Sequence, residues 1–202
     1  IIDYNDEKLL NFLRSLNLDI LIDLNGFTFG NRLNIFAARS ATNQIGWCGY
    51  NNSLGIKNMD YLIADKNLIK KGEEKLYKEK IIYMPKIWNA MSKPENLPSV
   101  NDLPFKKSDI FRFGSFNSFK KISDDVIKVW SKIINNTNCV LYLKNSGGYN
   151  KEIYDNLLKR FEDEKADLEK IIFLKKSKST EFMKDYYKID IALDTFPYTG
   201  VT

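Results

Sequence analysis

Four short apolar runs, LDILIDL (18–24), QIGWCGY (44–50), DYLIAD (60–65) and KIIYMP (80–85), constrain the first part of the chain more than any other feature. Continuous apolar runs of this length are the pattern of strands buried on both faces, as in a parallel sheet covered by helices on each side. Helix-patterned segments accompany them. DEKLLNFLRSL (6–16) sets Leu9, Leu10, Phe12, Leu13 and Leu16 on one side, and NRLNIFAAR (31–39) follows the first run. Strand and helix alternating along a chain predicts an α/β architecture with parallel sheets.

The alternation breaks once. Residues 89–108 (NAMSKPENLPSVNDLPFKKS) hold three of the five prolines and show no periodicity, which predicts a linker. Beyond it come a strand at 109–116, a helix at 123–136, a strand at 138–144 and a helix at 150–166. A strand at 170–175, a helix at 179–188 and a strand at 189–196 complete the series. Two Rossmann-like parts are expected, residues 1–88 and 109–202, joined by 89–108.

Composition excludes several functions. Apolar residues make up 44% and charged residues 28%, an ordinary globular balance. Lys and Arg total 31 against 26 Asp and Glu, an excess of +5 spread along the chain, and Arg is scarce. A nucleic-acid module concentrates its cations on one face, so no nucleic-acid partner is expected. Cys48 and Cys139 lie far apart in apolar runs and read as reduced core residues. No apolar stretch reaches the roughly 20 residues needed to span a bilayer, and nothing resembles a signal peptide, so a cytoplasmic protein without a membrane partner is expected. The start at IIDYND and the stop at PYTGVT read as the edges of a longer chain.

With no histidine in the sequence, an imidazole base, a Ser-His-Asp triad or a His-based zinc site cannot be assembled from these residues. No D-x-D pair is present, so a metal-bridged diphosphate is not signalled. In open α/β sheets ligands bind beyond the carboxyl ends of the strands, which draws attention to three loops. SFNSFKKIS (115–123) sets Asn117, Ser118, Lys120 and Lys121 ahead of a helix whose expected N-cap is Ser123. Phosphate is attracted to such helix starts, yet Asp124 and Asp125 already complement the dipole there, and solvated lysines give the same pattern. DTFPYTGVT (194–202) brings Gly200, which permits close backbone approach, next to Thr202, although a plain turn has the same composition. KNSGGYN (144–150), with Gly147 and Gly148, reads as a strand-to-helix turn. Asp23 and Asp65 are acidic residues near strand ends, suited either to proton handling or to capping.

Taken in order, DILIDLNGFTFGNRLNIFAAR, IGWCGY, MDYLIAD, EKIIYMP, FGSFNSFKKIS, VWSKII, VLYLK, IIFL and IALDTFPYTGVT resemble the catalytic region of the O-linked N-acetylglucosamine transferase and SPINDLY family. The resemblance covers essentially the whole chain. It implies a GT-B fold, with 1–88 the later part of the first Rossmann-like domain, on the acceptor side, and 109–202 the earlier part of the second, which binds the donor nucleotide. It also implies a metal-independent, inverting transferase that moves sugar from a nucleoside diphosphate to a protein side chain, Ser or Thr above all. There is no resident cofactor; the co-substrate is a UDP- or GDP-linked sugar, the acceptor a protein or peptide, and tetratricopeptide repeats are expected upstream. Residue by residue, Lys121 corresponds to the family's lysine at the diphosphate and Asn117 to the asparagine of the same loop. Thr202 matches the first threonine of the phosphate-holding turn that Gly200 opens, while Thr28 and Gly49 fall on positions lining the acceptor cleft. Departures from the pattern are Ser118 in place of a Gln, Phe182 in place of a His, Val201 in place of the His of a Gly-His-Thr turn, and Ser179 in place of a Lys. They leave the donor sugar open and raise the alternative of a catalytically degenerate nucleotide-sugar-binding module.

Overall fold

The structure is a computed structural model that describes residues 3–90, 92, 97–145 and 150–200. It divides into two compact units, Ile1–Lys93 and Pro94–Thr202. In the first unit, α1 (Asp6–Ser15) starts at Asn5, whose side chain accepts the Lys8 amide. Asp6 and Glu7 sit in its first turn, where negative charge complements the helix dipole. Then follow β1 (Ile20–Asp23), the short α2 (Leu33–Ala37), β2 (Asn43–Gly46), β3 (Tyr61–Ala64) and β4 (Lys80–Tyr83). The four strands form a parallel sheet in the order β1-β2-β3-β4.

The apolar run at 44–50 does not remain a strand to its end. Pairing stops at Gly46, Cys48 adopts φ +65°, and Gly49 turns back to bond the Trp47 carbonyl. No helix links β2 to β3, because residues 47–60 are rich in Gly, Asn and Ser and lack helical periodicity, and only a 3-10 turn (Glu74–Leu76) lies between β3 and β4. Buried polar side chains close these crossings instead. Gln44, fully buried, donates to the Phe36 and Asn58 carbonyls at 2.8 and 2.6 Å. Glu79 accepts from Ser53 Oγ and Leu54 N, and Arg39 grips Asp60 with two bonds of 2.8 Å. Such polar contacts, charge-assisted at Glu79 and at the Arg39–Asp60 pair, replace the apolar face a helix would have supplied.

The second unit comprises β5 (Phe111–Ser115), α3 (Asp124–Asn136), β6 (Cys139–Leu143), α4 (Lys151–Asp163), β7 (Ile171–Phe173), α5 (Ser179–Asp185) and β8 (Ile191–Ala192). Its sheet is parallel throughout, in the order β7-β6-β5-β8. Ser123 caps α3 as the sequence predicts. Val126, Ile127, Trp130 and Ile134 share one face of that helix and pack on Leu141 and Leu143 of β6 and on Leu157 and Phe161 of α4 in one core. Gly114 has no room for a side chain, since a Cβ there would lie 2.6 Å from Ile189 Cγ2.

The expected linker 89–108 is not a uniform spacer. At its start Trp88 and Asn89 serve the first unit, with Trp47 Nε1 donating to the Trp88 carbonyl at 2.7 Å. Its later part packs on the second: Phe105 stacks on Phe111 at 4.1 Å and its amide bonds Asp190. Cys139 is buried as expected, whereas Cys48 is half-buried in a turn and not in a core. Gly147 and Gly148 lie outside the described residues, and among those described no helix is long and apolar enough to cross a membrane.

Candidate functional site at the β5 and β8 strand ends

The order β7-β6-β5-β8 contains one reversal. From β5 the chain steps to one side for β6 and β7, then returns across the sheet to place β8 on the other flank of β5. Loops leaving the carboxyl ends of β5 and β8 therefore diverge and open a crevice between them, the general ligand position in such sheets. Those loops are 116–123 and 193–200.

The first loop is anchored by Phe119 and Ile122, both buried, which flank a 3-10 turn over Phe119–Lys121. That turn fixes the Lys121 backbone, whose amide bonds the Ser118 carbonyl at 2.9 Å. From there the Lys121 ammonium reaches across to the second loop, donating to the Thr199 carbonyl at 3.0 Å and lying 4.9 Å from the centre of the Tyr198 ring. The second loop is held from inside by Thr195, buried, with Oγ1 on the Tyr198 carbonyl at 2.6 Å, and from outside by Ser123 Oγ on the Phe196 carbonyl at 3.0 Å.

Asp194 stands where the two loops meet. Its Oδ1 accepts from Thr195 N at 2.8 Å, Gly200 N at 2.8 Å and Asn117 Nδ2 at 2.9 Å. Burial pushes this carboxyl up, but the bonds from Gly200, Thr195 and Asn117, together with the Lys121 charge, outweigh it and hold the group below the usual carboxylate range. A cleft of about 300 Å³ opens beside it, lined by Asn117, Asp194 and Gly200 and by Phe116, Phe182 and Tyr186. Phe116 meets Tyr186 edge-on at 4.7 Å. A buried ammonium, Lys144, bonds Ser177 and Asp185 and lies 4.8 Å from the Phe182 ring.

Of the residues singled out from sequence, Lys121, Asn117 and Gly200 come together at this crevice, and Ser118 precedes the 3-10 turn of the first loop. Thr202 lies outside the described residues. The helix start itself is already occupied: Ser123 Oγ takes the Val126 amide, and Asp124 in the first turn pairs with Arg160 at 2.7 Å. The Gly200 amide and the Asn117 carboxamide both point at Asp194, and among the described residues of the two loops the Lys121 ammonium is the cation that reaches across.

In the first unit, Thr28 and Gly49 flank the same residue. Thr28 Oγ1 donates to the Asn25 carbonyl at 2.7 Å, and a Cβ on Gly49 would lie 2.0 Å from the Leu24 carbonyl oxygen and 2.7 Å from Asn25 Cα. Asp23 and Asp65 take up turn and loop amides. Asp23 accepts from Asn25 and Gly26, and Asp65 from Asn67, Leu68 and Trp88. The Leu68, Trp88 and Asn67 amides hold the Asp65 carboxyl below its ordinary range against the opposing effect of burial, so it is a fixed anion and not a proton store. Among the described residues no group of three His, Cys, Asp or Glu side chains converges as a metal site requires. Sequence reasoning missed Asp194 and Lys144; an acidic residue closing an apolar strand just before a Pro-Gly turn was the available signal for the first, and nothing local marks the second.

The glycosyl transferase family 41 model matches residues 8–100. Probable UDP-N-acetylglucosamine–peptide N-acetylglucosaminyltransferase SPINDLY proteins match over 98% of this chain, at 30% identity in Oryza sativa subsp. japonica and 29% in Petunia hybrida. The chain spans about a fifth of their length, 22% in each case. A solved structure of a Thermobaculum terrenum O-GlcNAc transferase mutant superposes with a TM-score of 0.89 at 29% identity, covering 98% of this chain and 37% of that one. The fold is thus the GT-B type of α/β glycosyltransferase. Within that class, residues 8–100 match glycosyl transferase family 41, and the chain as a whole is similar to the O-linked N-acetylglucosamine transferases and SPINDLY proteins.

Proposed function

We propose that this chain is part of a glycosyltransferase that moves a sugar from a UDP- or GDP-linked donor to a Ser or Thr hydroxyl of a protein, inverting the sugar and using no metal ion. Lys121 is the residue assigned to the diphosphate. The observation that carries this reading is the Lys121 ammonium, held at the crevice by a bond to the Thr199 carbonyl, which uses one of its three N–H donors. As the glycosidic bond breaks, negative charge grows on the diphosphate, and a preplaced cation lowers that barrier without reorganising. Thr202 is assigned to the same phosphates, and Thr28 and Gly49 to the acceptor side.

Donors of this kind are worth about 3–4 kcal/mol each, roughly a hundredfold or more in rate. Lys121→Ala in the full chain is therefore expected to reduce transfer at least about a hundredfold; a rate within about threefold of the parent would rule the assignment out. Calorimetric titration with UDP-, GDP- and dTDP-sugars names the base, and tight donor binding with no turnover on a peptide panel would favour a degenerate binding module instead.

A further inference from the structure

We infer that Asp194 is the positioning residue of this crevice, a carboxylate clamp that ties the loop after β5 to the loop after β8 and so aims the Lys121 ammonium. Three donors converge on one oxygen, from Thr195 N, Gly200 N and Asn117 Nδ2, and two of them come from opposite loops. Lys121 is coupled to that clamp through the chain itself. Its partner, the Thr199 carbonyl, belongs to the peptide whose nitrogen is Gly200 N, so the plane that the Asp194 bond fixes also fixes the direction in which the carbonyl faces Lys121.

A free carboxylate at an anion site would repel its ligand. Here the charge is met by the three N–H donors and by Lys121 nearby, so it acts inward as a fastening. Close packing supports the same role: a Cβ on Gly200 would lie 2.7 Å from Asn117 Oδ1 and 3.3 Å from Asp194 Oδ1, so the two loops already touch through this residue. Bonds to an ionised acceptor are roughly twice as strong as those to a neutral one, and three donors share this oxygen, so an amide is a poor substitute.

The inference rests on the diphosphate reading, and a double-mutant cycle on the full chain separates the two. Asp194→Asn is expected to lower kcat/KM for transfer at least about tenfold while leaving thermal unfolding cooperative. The Asp194→Asn, Lys121→Ala pair is expected to match Lys121→Ala alone, because a clamp that works only through the lysine has nothing further to lose. Losses that multiply in the pair, or an Asp194→Asn rate within threefold of the parent while Lys121→Ala is crippled, would overturn the clamp and leave the diphosphate reading intact. A Lys121→Ala variant of normal rate would remove the diphosphate reading, and the clamp with it. If Asp194→Asn does not fold, Asn117→Ala opens the clamp from the other loop and is scored against Lys121→Ala in the same way.

Discussion

Two glycines show how one substitution has opposite meanings at two places. At Gly200 an added methyl meets the end of the Asn117 side chain, which can swing away. At Gly49 it meets the main chain at Leu24 and Asn25, which cannot move without shifting the β1 end. Gly49→Ala is therefore expected to cost about 1–3 kcal/mol of stability, the range for overpacking, measured by urea unfolding. Gly200→Ala should leave the unfolding midpoint nearly unchanged and weaken donor affinity several-fold in calorimetry, because displacing Asn117 removes one bond from Asp194. Equal loss of stability in both variants would contradict this contrast. Gly200 was legible in the sequence as a turn glycine, but its contact with Asn117 joins residues on different strand ends and has no local signature.

At the scale of elements, the apolar runs disclosed most of the strands, and Ser123 disclosed the start of α3. The sequence pattern overreached where a run outlasted its pairing, as at Cys48–Tyr50, because the chain turns away at Cys48, and hydrophobicity alone does not report a turn. It fell silent where polar residues did structural work. Lys144 closes β6, and its partner Asp185 ends α5, with Ser177 bridging them and Lys188 on the other carboxylate oxygen at 2.7 Å. Burial pushes the Asp185 carboxyl up, yet the bonds from Lys144, Lys188 and Ser177 prevail and bring it to about 2 from an ordinary 3.8. A lowered folded-state value means the stabilisation is present above the ordinary value and is lost as pH falls toward 2, an effect of about 2 kcal/mol. Asp185→Asn leaves Lys144 buried with its main anion gone, for which about 3–5 kcal/mol of destabilisation is expected near neutral pH. The gap between parent and variant in denaturant unfolding should narrow from pH 5 toward pH 2; a gap independent of pH would show that the pair carries no net charge interaction. Since α5 also supplies Phe182 to the cleft, and Tyr186 follows directly on Asp185, the same variant should disturb donor binding.

Over the whole molecule, the two units differ in how they are closed. The second has one continuous core from Phe119 to Ile171, while the first has separate clusters around Phe36, Leu54 and Met59 and around Leu62, Ala64 and Ile69, with polar bonds between strands and loops. Each unit thus has apolar clusters of its own, unequal in size, so unfolding as a single two-state event is not expected. The tryptophans report the units separately, because Trp47 and Trp88 lie in the first and Trp130 is buried in the core of the second. A Trp130→Phe variant should follow the first unit and a Trp47→Phe, Trp88→Phe variant the second, with the first melting at the lower denaturant concentration. The nucleoside diphosphate identified by calorimetry should stabilise the second unit by about 2.7 kcal/mol at a concentration of 100 Kd, raising its midpoint, and act less on the first. That selectivity follows from the placement of Lys121 and Asp194, which both belong to the second unit's own sheet ends. Stabilisation confined to the first unit would place the nucleotide elsewhere.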